Sequence, residues 1–316
     1  MALFNNVMIK KLLFFIGLAF IPPTVFSQQE SYYTLYRYNM NVINPAYAGA
    51  LGKNVSAFTS RRQWSAMQDA PSTLAFSYSS QRENNVGLGL SVVSDKVFIE
   101  QQTFAYVDFS YKLDMESTQL YLWLKAGGNF YRADTRTLST YSFTTDPAQQ
   151  ELSRFNPNIG AGAFLKGEMF WISFSIPRLF NVKRENDNLA VTAKDRVHSY
   201  LGGGVDLPIG SGILIKPSVM MRKVKGLPVS TDITGMLSWQ NQFDVGISYR
   251  TSSAFGLLAV VSLGGFDIGY AYETPTVSSL SQLNLKTHEV VLRINLGQGN
   301  QSTSIENDPA LQKEEN

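Results

Sequence analysis

The sequence predicts an all-β protein: a transmembrane antiparallel β-barrel of about fourteen strands, with short periplasmic turns and longer extracellular loops. Three observations carry that prediction. In the stretch 101–113, Ala105, Val107, Phe109, Tyr111 and Leu113 alternate with Asp108, Ser110 and Lys112. This is period two, the signature of a strand with one apolar and one polar face. The pattern returns at barrel-strand length along the chain and ends in Val290, Leu292, Ile294 and Leu296. The links between these candidate strands also alternate between short and long, which a soluble sandwich gives no reason to expect.

The chain opens with an export signal. Lys10 and Lys11 precede an apolar run over 12–21, and Val25-Phe26-Ser27 places small residues where a signal peptidase cuts. Residues 1–27 are therefore predicted to be removed, with the mature chain starting near Gln28. The apolar run is too short for a spanning helix, and no later run approaches the ~20 residues that one needs. Cysteine is absent, which excludes disulfides, thiolate nucleophiles and Cys-based metal sites together. A closed, fully hydrogen-bonded barrel in lipid supplies the missing stability. Net charge is only +2, so there is no basic footprint for nucleic acid. Aromatics reach 12%, dominated by Phe and Tyr, as strands with interfacial girdles require.

Residues 28–53 come next, with Tyr32, Tyr33, Tyr36 and Tyr38 ahead of Ile43-Asn44-Pro45-Ala46-Tyr47-Ala48-Gly49. The segment is too polar to span a bilayer and too aromatic for a linker. It either plugs the lumen or packs at the periplasmic rim. Pro45 cannot donate to a ladder and Gly49 offers a positive-φ position, which together suit a fixed, docked turn rather than a strand. Barrel strands are predicted at 54–61, 73–80, 86–94, 103–113, 119–131, 158–166 and 169–176. They continue at 199–207, 212–222, 230–239, 243–251, 255–263, 266–273 and 289–296, so that the barrel occupies 54–296. Links after even-numbered strands are short. Those after odd-numbered strands are mostly longer, notably 132–157, 177–198 and 274–288, with only 252–254 brief. Both chain ends then lie in the periplasm. The tail 297–316 is polar and predicted to be disordered.

Facing follows from the alternation. Phe243, Val245, Ile247 and Tyr249 meet lipid, while Asp244, Ser248 and Arg250 point inward. Phe266, Ile268, Tyr270 and Tyr272 repeat the scheme against Asp267 and Glu273. Leu120, Leu122 and Leu124 oppose Tyr121, Trp123 and Lys125, and Arg293 falls between lipid-facing Leu292 and Ile294. The expected polar lumen set is thus Asp108, Lys112, Lys125, Asp244, Arg250, Asp267, Glu273 and Arg293. Trp123 and Trp171, facing inward, indicate that part of the lumen is filled.

Motifs with catalytic or ligand chemistry are sparse. The glycine pairs Gly87/Gly89 and Gly160/Gly162 and the run 202–204 lack the strand–turn–helix context of a dinucleotide site, and read as strand glycines. His198 and His288 fall at extracellular strand starts, with Asp195 or Glu289 beside them. Neighbours in a strand project to opposite faces, so neither pair makes a catalytic couple, and both histidines read as solvated loop residues. Two His without Cys do not complete a metal site. The charged run 183–187 and Arg222-Lys223-x-Lys225 read as external-loop charge. Trp64 reads as a girdle aromatic beside the first external loop. No catalytic residue, metal or cofactor is expected.

The residues also resemble a known family. The element 43–49, then Arg62-Gln63-Trp64, Ala70-Pro71, Val86-Gly87-Leu88-Gly89-Leu90 with Asp95-Lys96, and Tyr106-x-Asp108-x-x-Tyr111 look like the PorP/SprF family. The match is strong over the N-terminal third and continues beyond it as strand rhythm. The resemblance implies a non-enzymatic outer-membrane protein of the type IX secretion system in a Gram-negative bacterium, in some members tied to gliding adhesins. It implies that the protein handles or anchors cargo bearing a C-terminal sorting domain. It also implies partnership with a peptidoglycan-binding lipoprotein and other secretion-system subunits, in contact with outer-membrane lipid. Carried over residue by residue, it marks Asn44, Pro45, Ala46, Tyr47, Gly49, Arg62 and Trp64 as partner-binding or plug positions. The alternative left open by the strand pattern is a transport barrel, either porin-like or a fatty-acid-transporter-like barrel with an N-terminal hatch.

Overall fold

The computed structural model describes residues 32–82, 84–134, 136, 151–180, 196–276 and 285–298. The predicted export signal, the charged run at 183–187, Asp195 and nearly all of the predicted tail lie outside the described residues. The strands are β1 (Lys53–Arg62), β2 (Ser72–Gln81), β3 (Val86–Val97), β4 (Glu100–Asp114), β5 (Gln119–Asp134), β6 (Glu151–Lys166) and β7 (Phe170–Ile176). They continue with β8 (His198–Val205), β9 (Leu207–Gly210), β10 (Ile213–Val224), β11 (Ser230–Trp239), β12 (Phe243–Arg250), β13 (Ala254–Leu263), β14 (Phe266–Pro275) and β15 (Thr287–Gln298). β8 and β9 pair in succession with the same strand, β10, and form one crossing interrupted at Asp206. Fourteen antiparallel crossings result, and β15 pairs with β1 (Phe58 opposite Leu292) to close the sheet on itself. Closure removes the sheet edges and leaves every spanning backbone group a partner, as lipid demands. The predicted fold class and strand set are those observed.

The wall reads as the alternation predicts. Val107, Phe109 and Leu124 on β4 and β5, and Val245 and Ile247 on β12, are exposed on the outer face, while Asp108, Ser110, Lys125, Asp244 and Ser248 between them are buried inside. A barrel in lipid is thus apolar outside and polar within. At one end the links are uniformly short: 82–85, 115–118, 167–169, 211–212, 240–242 and 264–265. Gly264 and Gly265 form the tightest of these, both with positive φ (+53° and +110°), as a two-residue hairpin turn requires. The opposite, long-loop end carries 63–71, 135–150, 177–197 and 276–286, but also a two-residue link at 98–99. The sequence reading placed a longer link there. Instead β3 and β4 stay paired up to Val97 opposite Glu100.

Residues 32–52 run through the lumen from the long-loop half toward the short-turn end, where Lys53 begins β1. They form a turn at Tyr36–Tyr38, a single helical turn α1 (Met40–Ile43) and a second turn at Pro45–Tyr47. Asn44 organises the last of these: it is extended, its side chain accepts from the Ala46 N–H at 3.0 Å, and Pro45 follows where no N–H is needed. Gly49 has φ +81° and turns the chain toward β1. No residue from 32 to 52 is exposed. This segment forms contacts with inward side chains on all fourteen crossings, from Thr59 on β1 to Glu289 on β15. The core of the molecule is therefore inside the barrel, around this plug.

Candidate functional site: an occluded lumen and its short-turn mouth

The upper lumen holds the start of the plug by charge. Glu289 accepts the backbone N–H groups of Thr34 and Leu35, each at 2.9 Å. Arg61 lies between two carboxylates, 2.9 Å from Glu289 and 2.6 Å from Glu273. The Thr34 hydroxyl donates to Glu273. Arg250 pairs with Asp232 at 2.6 Å, and its guanidinium and that of Arg222 lie on the ring of Tyr32, at 4.2 and 3.5 Å. The Arg61, Arg250, Glu273 and Glu289 side chains are all 5% exposed or less. Buried charges are tolerable only when paired, and here Glu273 and Glu289 each serve both a wall cation and the plug, while Asp232 serves the wall cation Arg250.

Below this latch the plug packs by shape and by hydrogen bonds that are mostly between neutral groups. Leu35 and Tyr38 join Met236, Leu258, Val260 and Val291 in one cluster, and Tyr36, Met40 and Ile43 join Tyr200 and Met220 in another. Tyr36 donates to Ser218 at 2.9 Å, and Tyr38 to Asp244. The Asn44 amide donates to Ser173 Oγ at 2.7 Å and to the Ala163 carbonyl at 3.0 Å. Ser175 donates to the Ile43 carbonyl and Ser110 to the Ala48 carbonyl. Tyr47 meets Phe164 edge-on at 5.3 Å. Gly87 and Gly89 are inward positions directly against Ala48. A Cβ on Gly87 would lie 2.4 Å from the Ala48 carbonyl oxygen, so glycine there makes room for the plug.

The sequence-derived residues divide accordingly. Asn44, Pro45, Ala46, Tyr47 and Gly49 all lie in the lumen. Arg62 is exposed on the outer wall, and Trp64 lies in the 63–71 link with a left-handed φ of +54°, so neither meets that element. Asp108 is 3.7 Å from Lys125, Asp267 is 2.5 Å from Arg293, and Asp244 is 3.0 Å from Lys216. Lys112 is half-buried beside Asp114 near the short turns. Arg61, Glu289, Asp232 and Arg222 were missed as lumen groups. The same facing rule that placed Arg293 inward between outward neighbours would have found Glu289 beside Val290. Arg222 is a buried strand residue, not external-loop charge. Neither histidine is a solvated loop residue: His198 is buried in β8, and His288 in β15 is bonded to the Tyr270 hydroxyl at 2.6 Å on the outer wall.

At the short-turn end the plug stops short of filling the barrel and leaves an open vestibule of about 560 Å³. Tyr47, Phe164 and Trp171 form its apolar side, and Arg37, Lys53, Asp206 and Asn295 its polar side. Arg37 pairs with Asp206 at 2.5 Å, but its Nη1 and the Oδ1 of Asn295 are buried with no hydrogen-bond partner among the described residues. Such a surface can accept both a polar backbone and an aromatic side chain. Among the described residues no group of three or more His, Asp or Glu side chains could hold a metal ion.

Comparison with known proteins adds a family. Residues 25–294 match the model for "Type IX secretion system membrane protein PorP/SprF". No match was found among curated proteins. Among solved structures, the Acinetobacter baumannii outer membrane protein Omp33 overlaps with a TM-score of 0.44 at 10% identity, covering 77% of this chain and 97% of that one. A triple mutant of the Rhodopseudomonas blastica porin overlaps at 0.35 and 8% identity, covering 77% of this chain and 98% of that one.

Proposed function

The chain belongs to the PorP/SprF family of type IX secretion system membrane proteins, and we propose that within that machine it is a non-conducting, non-enzymatic interaction barrel of the outer membrane. In this reading it supports export or surface anchoring of cargo bearing a C-terminal sorting domain. Its short-turn mouth faces the periplasm, where a peptidoglycan-binding lipoprotein and other subunits of the machine are its partners. One observation carries the reading: residues 32–52 lie inside the barrel, none of them exposed, and engage the wall around its circumference, which suits a scaffold better than a porin. The plug's elements Asn44, Pro45, Ala46, Tyr47 and Gly49 then act by shaping the vestibule.

The test has two readouts. Purified wild-type protein in planar bilayers is expected to show no ohmic conductance. In cells, Asn241→Arg with Gln242→Arg at the vestibule rim is expected to leave barrel abundance unchanged and reduce secretion of sorting-domain cargo. A steady open pore, or full secretion in cells lacking the protein altogether, removes the reading.

A further inference from the structure

The outer wall carries a feature that the plugged interior leaves unexplained. Outward side chains stay in register across adjacent strands, so one row near the long-loop end runs His288, Arg62, Ser72, Lys96 and Gln101. Arg62 and Lys96 are exposed, and neither has an ion-pair or hydrogen-bond partner among the described residues. No carboxylate shares this run. The two cations are two strand spacings apart, about 10 Å.

The row immediately inside the membrane from it is Val290, Ser60, Leu74 and Ser94. Leu74 stands out from the wall at 61% exposure, whereas Ser60 and Ser94 beside it are short. With Phe58, Phe76, Val92 and Leu292 in the next row, they enclose a groove of about 340 Å³ on the lipid face. An apolar groove capped by unpaired cations at membrane-interface height matches an amphiphile with an anionic head. A soluble peptide would not seat its length against a lipid-facing wall.

We propose that this face binds one phosphorylated acyl lipid of the outer leaflet, with a chain in the groove and its phosphate between Arg62 and Lys96. Arg62 supplies a planar, bidentate phosphate donor and Lys96 a second positive charge. The inference gives Arg62 a role in lipid recognition rather than in the plug, and it stands whatever cargo the barrel serves.

The experiment uses delipidated full-length protein in detergent, titrated by native mass spectrometry with three probes: phosphorylated lipid A, the same lipid A without phosphates, and inorganic phosphate. Wild type is expected to prefer the phosphorylated lipid about tenfold or more, given two interfacial cations. Arg62→Gln with Lys96→Gln is expected to abolish that preference. Ser60→Phe, which fills the groove, is expected to weaken both lipids, with Ser94→Phe taking its place if it fails to assemble. Heat-modifiable mobility verifies that each variant is folded. Equal affinity for the two lipids, an undiminished preference in the double variant, unchanged binding after groove filling, or displacement of the lipid by millimolar phosphate each overturns the proposal.

Discussion

A methyl group at Gly87 is a small change with a defined target. Its carbon would lie 2.1 Å from Ser110 Oγ and 2.4 Å from the Ala48 carbonyl oxygen. Ser110 can rotate away, but the carbonyl belongs to the plug backbone, so the plug must shift. Overpacking of this kind costs about 1–3 kcal/mol. Gly87→Ala is therefore expected to leave barrel assembly intact and to produce conductance steps in planar bilayers, whereas Gly210→Ala, with nothing within 4 Å, produces none. Glu289→Ala is the electrostatic counterpart. It removes the acceptor of two plug N–H groups and one of the two carboxylates on buried Arg61. Breaking such a pair costs about 3–5 kcal/mol. The variant is expected to unfold at lower temperature in heat-modifiability gels and to conduct. At this scale the sequence was only partly legible: Asp108, Lys125 and Arg293 follow from parity along a strand, but which cation meets which anion depends on register across strands, and no single strand carries that information.

Strands were the most legible elements because lipid on one side enforces a strict alternation. The misreadings fall where that enforcement ends. β4 begins at Glu100 and β6 at Glu151, several residues before the apolar pattern starts. Toward the long-loop end the apolar alternation gives way to polar groups on both faces, so Asp95, Lys96 and Gln101 look like a loop although they are paired. Pro157 falls in the part of β6 that the sequence reading assigned to the 132–157 link. It is accommodated because β7 pairs with β6 only as far as Ala161, leaving Pro157 beyond that ladder. The lumen set a second limit. Ser248 points inward as the alternation predicts, but at 7% exposure it faces a filled interior and not an aqueous lumen. Ile247→Arg places a cation on the lipid face at about 2–4 kcal/mol, and is expected to prevent assembly, scored by loss of heat-modifiable protein. Ser248→Arg is expected to assemble but conduct, because its side chain must displace the plug. Equal loss of folded protein in both would contradict the facing.

For the whole molecule, the plug's path was the least legible feature, since an aromatic segment without a strand period has no register to read. Its orientation in the membrane is testable directly. A protease site inserted at Gly226, in the 225–229 link, is expected to be cut on intact cells, and one at Gly167 to be protected; the reverse result inverts the topology. The latch also bears on the order of assembly. β1 is the first strand synthesised and β15 the last, and the join between them is where Arg61 of β1 reaches Glu273 of β14 and Glu289 of β15. Glu289 can accept the Thr34 and Leu35 N–H groups only once β15 has arrived, and Arg61 finds its second carboxylate only then. Zipping of the final strand and seating of the N-terminal segment thus draw on the same few bonds. An empty cylinder would close over a Glu289 carboxylate that lacks its two N–H donors from the N-terminal segment, so closing the wall and filling it are expected to be coupled steps.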